Sequence, residues 1–307
     1  MNNNEDNSRY LYPITFSIPE EKIVNTIQPK TKLLSSLIPG DTKTYIYNNE
    51  TDYYNEYKQS FFAITKKKGG WDCMRHYEIL ANGTIPYFLN IEACPPNTMA
   101  LLPKDLIMEG NLLYDKLKNK DEVLQEEKDE CYNLINRLLE YTRNHLTTIK
   151  MANYILNKTG YTKVTKILYL SGEIRPDYLR CVTLHGFKQM LGDKCHDYPK
   201  IPHIYKSNSI NYKNLYGKGI SYTNLLEPEL HNDQLDSTID EDIKNKKYDI
   251  VIYGSFARGK TKYDIVSKYY NPDEIILLSG EDVLNGHYKV RYNEWLDKGH
   301  HVFIREL

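Results

Sequence analysis

The second half of this chain alternates short apolar runs with segments of helical period, and no other sequence feature limits the possible folds as strongly. The apolar runs have the length and continuous character of buried strands, and they lie at 166–170, 248–253, 274–278 and 301–305. Helices are predicted between them at 176–191 and 262–270. Strands that alternate with helices form a parallel sheet with helices on its faces. We therefore predict a Rossmann-like unit in residues 158–307.

Ligands of such parallel sheets bind beyond the carboxyl ends of the strands. The loops at those ends of the predicted strands are 172–177, 254–259 and 279–282. We expect a substrate or cofactor to contact these three loops.

The first half predicts a second α/β unit. Its apolar runs indicate strands at 12–18, 33–38, 44–47 and 61–65. A helix is predicted over 52–59, and helical period returns from 120 to 155 with one apolar stripe. A chain of 307 residues is long enough for two domains of roughly 150 residues each. We predict that they comprise residues 1–157 and 158–307.

The charges are balanced, with 40 basic and 41 acidic residues, so nothing general attracts this chain to nucleic acid or to a membrane surface. No run approaches the roughly 20 apolar residues that a membrane-spanning helix needs, and we expect a cytoplasmic protein. Five cysteines without a C-x-x-C pair indicate reduced thiols. The nine histidines lack metal-ligand spacing, and we expect none of them to bind a metal.

The densest functional signal is the segment KKKGGWDCMRHYEILANGTIPYF at 66–88, which follows a predicted strand and continues as a helix. Gly69 and Gly70 allow the backbone to approach a ligand closely. Asp72 is predicted to cap the start of the helix, and Gly83 to be the left-handed residue that ends it.

The start of this predicted helix has the chemistry of an anion site. The N–H groups of residues 71–74 and the positive end of the helix dipole suit a diphosphate. Arg75 and Glu78 lie one turn apart and could contact phosphate and sugar hydroxyls respectively. In the alternative interpretation these two side chains form an exposed ion pair that binds no ligand.

The segment resembles the donor-binding segment of exostosin-like and other GT-B glycosyltransferases, of the kind found in large viruses and bacteria. The resemblance lies in the run R-x-x-E followed by A-x-G-x-x-P, carried by Arg75, Glu78, Ala81, Gly83 and Pro86. It implies an α/β fold of two Rossmann-like domains facing a cleft. The donor-binding domain would come first, a circular permutation of the usual GT-B order.

The resemblance also implies roles for individual residues. Glu78 would contact the ribose or the donor sugar, Arg75 with Gly69 and Gly70 would surround the diphosphate, and the turn at Gly83 would shape the pocket. The implied co-substrate is a nucleotide sugar, UDP- or GDP-linked, with no permanently bound cofactor. The implied acceptor is a hydroxyl group of a glycan, a protein or a small molecule, and a viral enzyme would act in the host cytoplasm.

The loop 171–177 is the predicted acceptor side of this cleft. Arg175 is a candidate donor contact. Asp177 is the preferred base for deprotonating the acceptor hydroxyl, and Glu173 is the second candidate. The rivals for the role of base are Glu281, Asp282 and His196. Because the chain has no convincing Asp-x-Asp pair, we predict transfer without a divalent metal.

The turn GSFARG at 254–259 supports an alternative, because it resembles a turn of small nucleotidyltransferases, in which an Asp-x-Asp pair holds the catalytic metals. Ser255 and Arg258 are its candidate nucleotide contacts. Only Asp264 follows at a suitable distance, and Val266 occupies the place of the second carboxylate. A further alternative is a protein that binds glycans or nucleotides without turnover. Sugar transfer to DNA bases would need a basic groove, which the balanced charge does not indicate.

Overall fold

The chain folds as an α/β protein with two parallel sheets. The computed structural model describes residues 7–173 and 175–307, so residues 1–6 and Ile174, within the predicted loop 171–177, lie outside it. The strands are β1 (Leu11–Pro13), β2 (Lys32–Leu34), β3 (Ser60–Lys66), β4 (Ile85–Leu89), β5 (Ile167–Leu170), β6 (Cys195–Tyr198), β7 (Ile250–Tyr253), β8 (Ile275–Ser279) and β9 (His301–Ile304). The α-helices are α1 (Glu50–Lys58), α2 (Met74–Ala81), α3 (Lys104–Leu117), α4 (Gln125–His145), α5 (Thr148–Thr159), α6 (Tyr178–Leu191), α7 (Asp233–Lys244), α8 (Tyr263–Tyr269) and α9 (Asn293–Leu296).

The larger sheet has its strands in the order β1-β9-β8-β7-β5-β6, and neighbouring strands are parallel. After β5 the chain adds β6 on one side and later adds β7 on the other. Such a reversal leaves a crevice at the carboxyl ends of the two diverging strands, where ligands of this sheet type bind. The loops after β5 and β7 meet there, and a Cβ on Gly172 would lie 2.4 Å from the Cα of Gly259. The crevice therefore needs a residue without a side chain at Gly172.

Burial on both faces explains why the strands of the second half are readable from sequence. β5, β7 and β8 are buried along their whole length, because helices cover both faces of a parallel sheet. The strands predicted at 166–170, 248–253, 274–278 and 301–305 are confirmed, with shifts of one or two residues at their ends. The helices predicted at 176–191 and 262–270 are confirmed as α6 and α8.

The smaller sheet has the order β2-β3-β4, again with parallel neighbours. The chain passes through α1 between β2 and β3 and through α2 between β3 and β4, so the first half also consists of β-α-β units. The sequence analysis missed β4, which contains Pro86. A proline lacks the N–H donor that a central strand needs, and β4 tolerates it because it lies at the edge of the sheet.

Several element predictions for the first half are wrong. Residues 44–47 form no strand, since Thr42–Thr44 form a 3-10 turn capped by the side chain of Asp41. The helices predicted in the region 120–155 are confirmed as α4 and α5, whereas α3, which precedes them, was missed. In the second half β6 and α7 were missed.

The two halves of the chain share structure. The predicted strand at 12–18 is regular only in β1, and β1 pairs with β9 at the edge of the larger sheet. α5 packs closely on α6, where a Cβ on Gly186 would lie 2.1 Å from the carbonyl oxygen of Thr148. The N-terminal strand thus extends the sheet of the second half, and the division at residues 157 and 158 stays a prediction. No helix in the described part of the chain is long and apolar enough to cross a membrane.

Candidate ligand-binding cleft

A cleft of about 1050 Å³ lies between the carboxyl ends of the two sheets. From the smaller sheet it is lined by the loop after β3 and by the start of α2. From the larger sheet it is lined by the loops after β5, β7 and β8 and by Phe16, which follows β1. A third wall comes from residues 216–220, in the irregular segment between β6 and α7. The cleft therefore brings together the 66–88 segment and the predicted acceptor loop.

The helix α2 begins differently from the prediction. Cys73 occupies the N-cap position without a capping side-chain bond, so the prediction of Asp72 as the cap is wrong. Asp72 is buried, and its carboxylate accepts hydrogen bonds from the Phe16 N–H at 2.7 Å and the Tyr77 hydroxyl at 2.9 Å. Burial raises the pKa of Asp72 to about 6. Asp72 thus joins α2 to the N-terminal segment.

The two glycines before α2 approach protein carboxylates. A Cβ on Gly69 would lie 2.3 Å from the Oδ2 of Asp282, and a Cβ on Gly70 would lie 2.4 Å from the Oε1 of Glu306. Glu306 also accepts hydrogen bonds from the N–H groups of Trp71 at 2.9 Å and Asp72 at 3.0 Å. Two of the four N–H groups predicted to hold a diphosphate are therefore bound to this side chain. Gly69 lines the cleft, whereas Gly70 does not.

The side chain of Arg305 pairs with both of these carboxylates. Its buried guanidinium donates to Glu306 Oε1 at 2.7 Å, to Asp282 Oδ1 at 2.5 Å and to the carbonyl oxygen of Asp72. It also lies over the ring of Phe16, with its central carbon 4.5 Å from the ring centroid. The sequence analysis missed this residue because a charged side chain directly after the last strand carries no pattern of its own.

Arg75 is a buried cation without a hydrogen-bond partner for most of its guanidinium. It lines the cleft with only 8% of its surface exposed, and its Nε and Nη1 atoms are buried and unpaired. The nearest aromatic ring is Tyr45, whose centroid lies 5.9 Å from the central carbon of the guanidinium. An unpaired buried donor costs roughly 1–3 kcal/mol, and more when it is charged. Arg75 is therefore a buried cation with two donor atoms that no protein acceptor contacts.

Glu78 lies one turn further along α2 and also lines the cleft. Its two carboxylate oxygens accept hydrogen bonds from the Tyr53 hydroxyl at 2.8 Å and from the Ser221 hydroxyl at 2.6 Å. Burial raises the pKa of this carboxyl. Since both Arg75 and Glu78 are buried, the alternative of an exposed ion pair is wrong. Every residue of α2 is buried, including the face predicted to be polar.

The acceptor loop holds its charges in an ion-pair network. Asp177 caps α6 by accepting the Arg180 N–H at 3.0 Å, and its other oxygen accepts the Ser255 hydroxyl at 2.9 Å. Arg258 lies 3.3 Å from the same carboxylate and donates to Glu281 at 2.6 Å. These contacts give Asp177 the role of a helix cap. Burial raises the pKa of Glu281, which lines the cleft beside Arg258.

The other predicted site residues are divided between the cleft and its surroundings. Arg175 lines the cleft with an exposed side chain, 3.6 Å from Glu173, and Glu173 accepts the Tyr288 hydroxyl at 2.6 Å without lining the cleft. Ser255 does not line the cleft, and its hydroxyl donates a hydrogen bond to Asp177, which does. Gly83 has the predicted left-handed backbone with φ of +64°, but it lies at the far end of α2 against Leu139 and Val24. His196 lies outside the cleft.

The cleft also contains residues that the sequence analysis did not select. Tyr45, Tyr53 and Lys218 line it, and the Lys218 ammonium donates to the Tyr47 carbonyl oxygen at 2.6 Å. Ser221 reaches Glu78 from the segment after β6, 143 residues away in sequence. No local pattern could have indicated that contact. Tyr53 and Tyr57, on α1 at a spacing of four, share a helix face and were open to recognition.

No protein-family model, curated protein or solved structure matches this chain. The chemistry of the cleft therefore rests on its own residues. Its lining cations are Lys68, Arg75, Arg175, Lys218 and Arg258, and its lining acids are Asp72, Glu78, Asp177, Glu281 and Asp282. Most of the acids and Arg258 are paired with protein groups, whereas Arg75 is not.

Proposed function

We propose that this chain is a glycosyltransferase that binds a nucleotide sugar in the cleft and transfers the sugar to a hydroxyl acceptor. The observation that carries the proposal is Arg75, at the start of α2, whose Nε and Nη1 atoms are buried without a hydrogen-bond partner. A diphosphate is a partner of suitable charge and geometry for an arginine side chain. The two-domain GT-B arrangement in permuted order belongs to the same proposal.

The N–H groups near the start of α2 that are not already hydrogen-bonded to protein indicate where the diphosphate would bind. Glu306 holds the N–H groups of Trp71 and Asp72, so these do not contact the ligand. The N–H groups of Met74 and Arg75 lie in the first turn of α2, where a helix offers no internal acceptor, and both residues line the cleft. These donors, the helix dipole and the Arg75 guanidinium together can neutralise a diphosphate leaving group.

The sugar and its acceptor would lie towards the larger sheet. Glu78 retains lone pairs beyond those used by Tyr53 and Ser221, and these can accept ribose or sugar hydroxyls. Glu281 and Asp177 both line the cleft, and Glu281 is our choice of general base because burial raises its pKa and Arg258 is its one protein partner among the contacts described above. Asp177, in contrast, is committed to α6, Ser255 and Arg258.

The nucleotidyltransferase alternative gains no support from the geometry. Asp264 is exposed on α8 and does not line the cleft, and Val266 is buried in the core. The GSFARG turn instead supplies Ser255 and Arg258 to the network around Asp177. Transfer without a divalent metal in the cleft remains our prediction.

The test is a thermal-shift panel of UDP, GDP, TDP, ADP and CMP with their common sugars. A ligand at 100 times its Kd should stabilise the wild-type protein by about 2.7 kcal/mol. Arg75→Met should abolish that shift, and far-UV circular dichroism of the ligand-free variant checks that it folds. The matched control is Arg137→Met, which removes an exposed arginine paired with Glu109 on the surface of α4.

Three outcomes separate the interpretations. A nucleotide shift that survives Arg75→Met would refute the assigned site, and a panel without any shift would refute the function. Nucleotide binding without release of the nucleoside diphosphate in the presence of glycan acceptors would favour the binding protein without turnover.

A further inference from the structure

Three side chains that can ligate a metal meet at the junction of β6 and α7, outside the cleft. His196 lies in β6, His231 lies two residues before α7, and Asp236 lies in the first turn of α7. Their ligand atoms are all within 4.8 Å of one another. The Nε2 of His196 is 3.0 Å from Asp236 Oδ1, and the Nε2 of His231 is 3.3 Å from Asp236 Oδ2.

The closest of these contacts is not a hydrogen bond. His196 is only 1% exposed, and its Nε2 atom has no hydrogen-bond partner. The facing Oδ1 of Asp236 is also buried and unpaired. Nitrogen and oxygen ligands lie roughly 2.0–2.2 Å from a zinc ion in tetrahedral geometry, which places neighbouring ligand atoms a little over 3 Å apart. The two separations that involve Asp236, 3.0 Å and 3.3 Å, match that spacing.

The orientation of His231 points to the same conclusion. Its Nδ1–H donates to Asp197 at 3.0 Å, and its Nε2 lies 3.3 Å from the Oδ2 of Asp236, so that this nitrogen turns a lone pair towards the carboxylate when the ring is neutral. Two acceptors in contact need a cation or a proton between them. Asp197 is itself fixed by the Lys188 ammonium at 2.9 Å and the Tyr205 hydroxyl at 2.7 Å. A carboxylate behind a ligating histidine is the usual support of a histidine–metal bond.

We propose that His196, His231 and Asp236 bind a divalent transition metal, with zinc as the ion that best suits their chemistry. Imidazole nitrogens favour zinc over magnesium or calcium, which prefer oxygen ligands. Asp233, whose Oδ1 lies 3.3 Å from the Nε2 of His231, can supply a fourth ligand from the exposed side. This proposal departs from the sequence prediction that no histidine is a metal ligand, which considered only local spacing, whereas 35 positions separate these two histidines.

The metal would fasten both ends of the irregular segment 199–230, which has 3-10 turns but no α-helix or strand. This segment carries Lys218 and Ser221 to the cleft. A link that closes a long loop removes conformational freedom from the unfolded chain and from the loop itself. The metal would therefore restrict the motion of the segment that forms one wall of the cleft, and it would take no part in chemistry there.

Zinc binding can be measured without any nucleotide, so its outcome is independent of the proposed function. Full-length protein is first stripped with a chelator and then titrated with zinc against a chromophoric competitor. We expect one equivalent to bind and to raise the Tm, while magnesium has no effect. Cobalt should give the visible absorption of a tetrahedral site.

Two variants locate the site. His196→Phe keeps a buried ring beside Tyr248, and Asp236→Asn changes a partly exposed residue, so both should fold, which far-UV circular dichroism checks. Each should weaken zinc binding more than roughly 100-fold, beyond the loss typical of a supporting residue. The control is His145→Gln, an exposed histidine outside the cluster, which should bind zinc like wild type. Failure of the wild type to bind zinc, or unchanged binding by His196→Phe, would overturn the proposal.

Discussion

Replacing Glu306 by glutamine tests whether the side-chain carboxylate of this residue holds the loop that precedes α2. Arg305 is paired with two carboxylates in very different surroundings, since the side chain of Glu306 is 8% exposed and that of Asp282 is 63% exposed. Only Glu306 also accepts the N–H groups of Trp71 and Asp72. A carboxylate partner of Arg305 can therefore be neutralised either at the buried position 306 or at the exposed position 282.

The two changes should differ several-fold in their cost. Losing a hydrogen bond to a charged group typically costs roughly 1.5–3 kcal/mol, while Arg305 itself keeps Asp282 as a partner. An amide at position 306 can accept from only one of the two N–H groups, and its own NH₂ group opposes the other donors. We expect Glu306→Gln to lower the free energy of unfolding by about 1.5–3 kcal/mol. Asp282→Asn should lower it by at most about 1 kcal/mol, the range of exposed pairs.

Urea unfolding at neutral pH, followed by circular dichroism, measures both variants against the wild type. The dependence of the unfolding free energy on urea should not change, so that the shift in midpoint reports stability alone. Equal losses for Glu306→Gln and Asp282→Asn would show that burial does not decide the strength of these pairs. A loss below about 1 kcal/mol for Glu306→Gln would show that the loop before α2 is held by other contacts.

Glu78→Gln should weaken nucleotide-sugar binding by tenfold to a hundredfold, since a hydrogen bond to a charged acceptor contributes roughly 1.5–3 kcal/mol, and calorimetric titration would expose an error if the affinity stayed at the wild-type value. His76 is fully buried between Thr65 and the Trp71 carbonyl oxygen, and burial lowers its pKa to about 3. The unfolded chain therefore binds the proton more tightly, and this histidine contributes stability above pH 6.5 that is lost as the pH falls, about 2 kcal/mol of it by pH 5. Urea titrations at pH 7 and pH 5 measure that difference, which should shrink in His76→Gln; an equal pH dependence in the variant would contradict the assignment.

The α/β class and the strands of the second half follow from local patterns in the sequence. A strand buried on both faces, such as β5, must be apolar along its whole length, and this is visible without knowing its neighbours. The end of α2 is equally local, because Gly83 adopts a left-handed backbone that other residues adopt at a cost. The 66–88 segment, part of which lines the cleft, also stood out in the sequence, since its glycines and charges are concentrated in a short stretch.

The partners of those residues were decided by the tertiary structure. Gly69 and Gly70 do permit a close approach, but the approaching groups are Asp282 and Glu306, more than 200 positions away. Whether Arg75 is paired depends on every element packed around it, and no local sequence pattern indicates that packing. His196 and His231 come together only because the chain leaves β6 and returns before α7. Backbone conformation is set largely by neighbouring residues, whereas a charged side chain finds its partner through the fold as a whole.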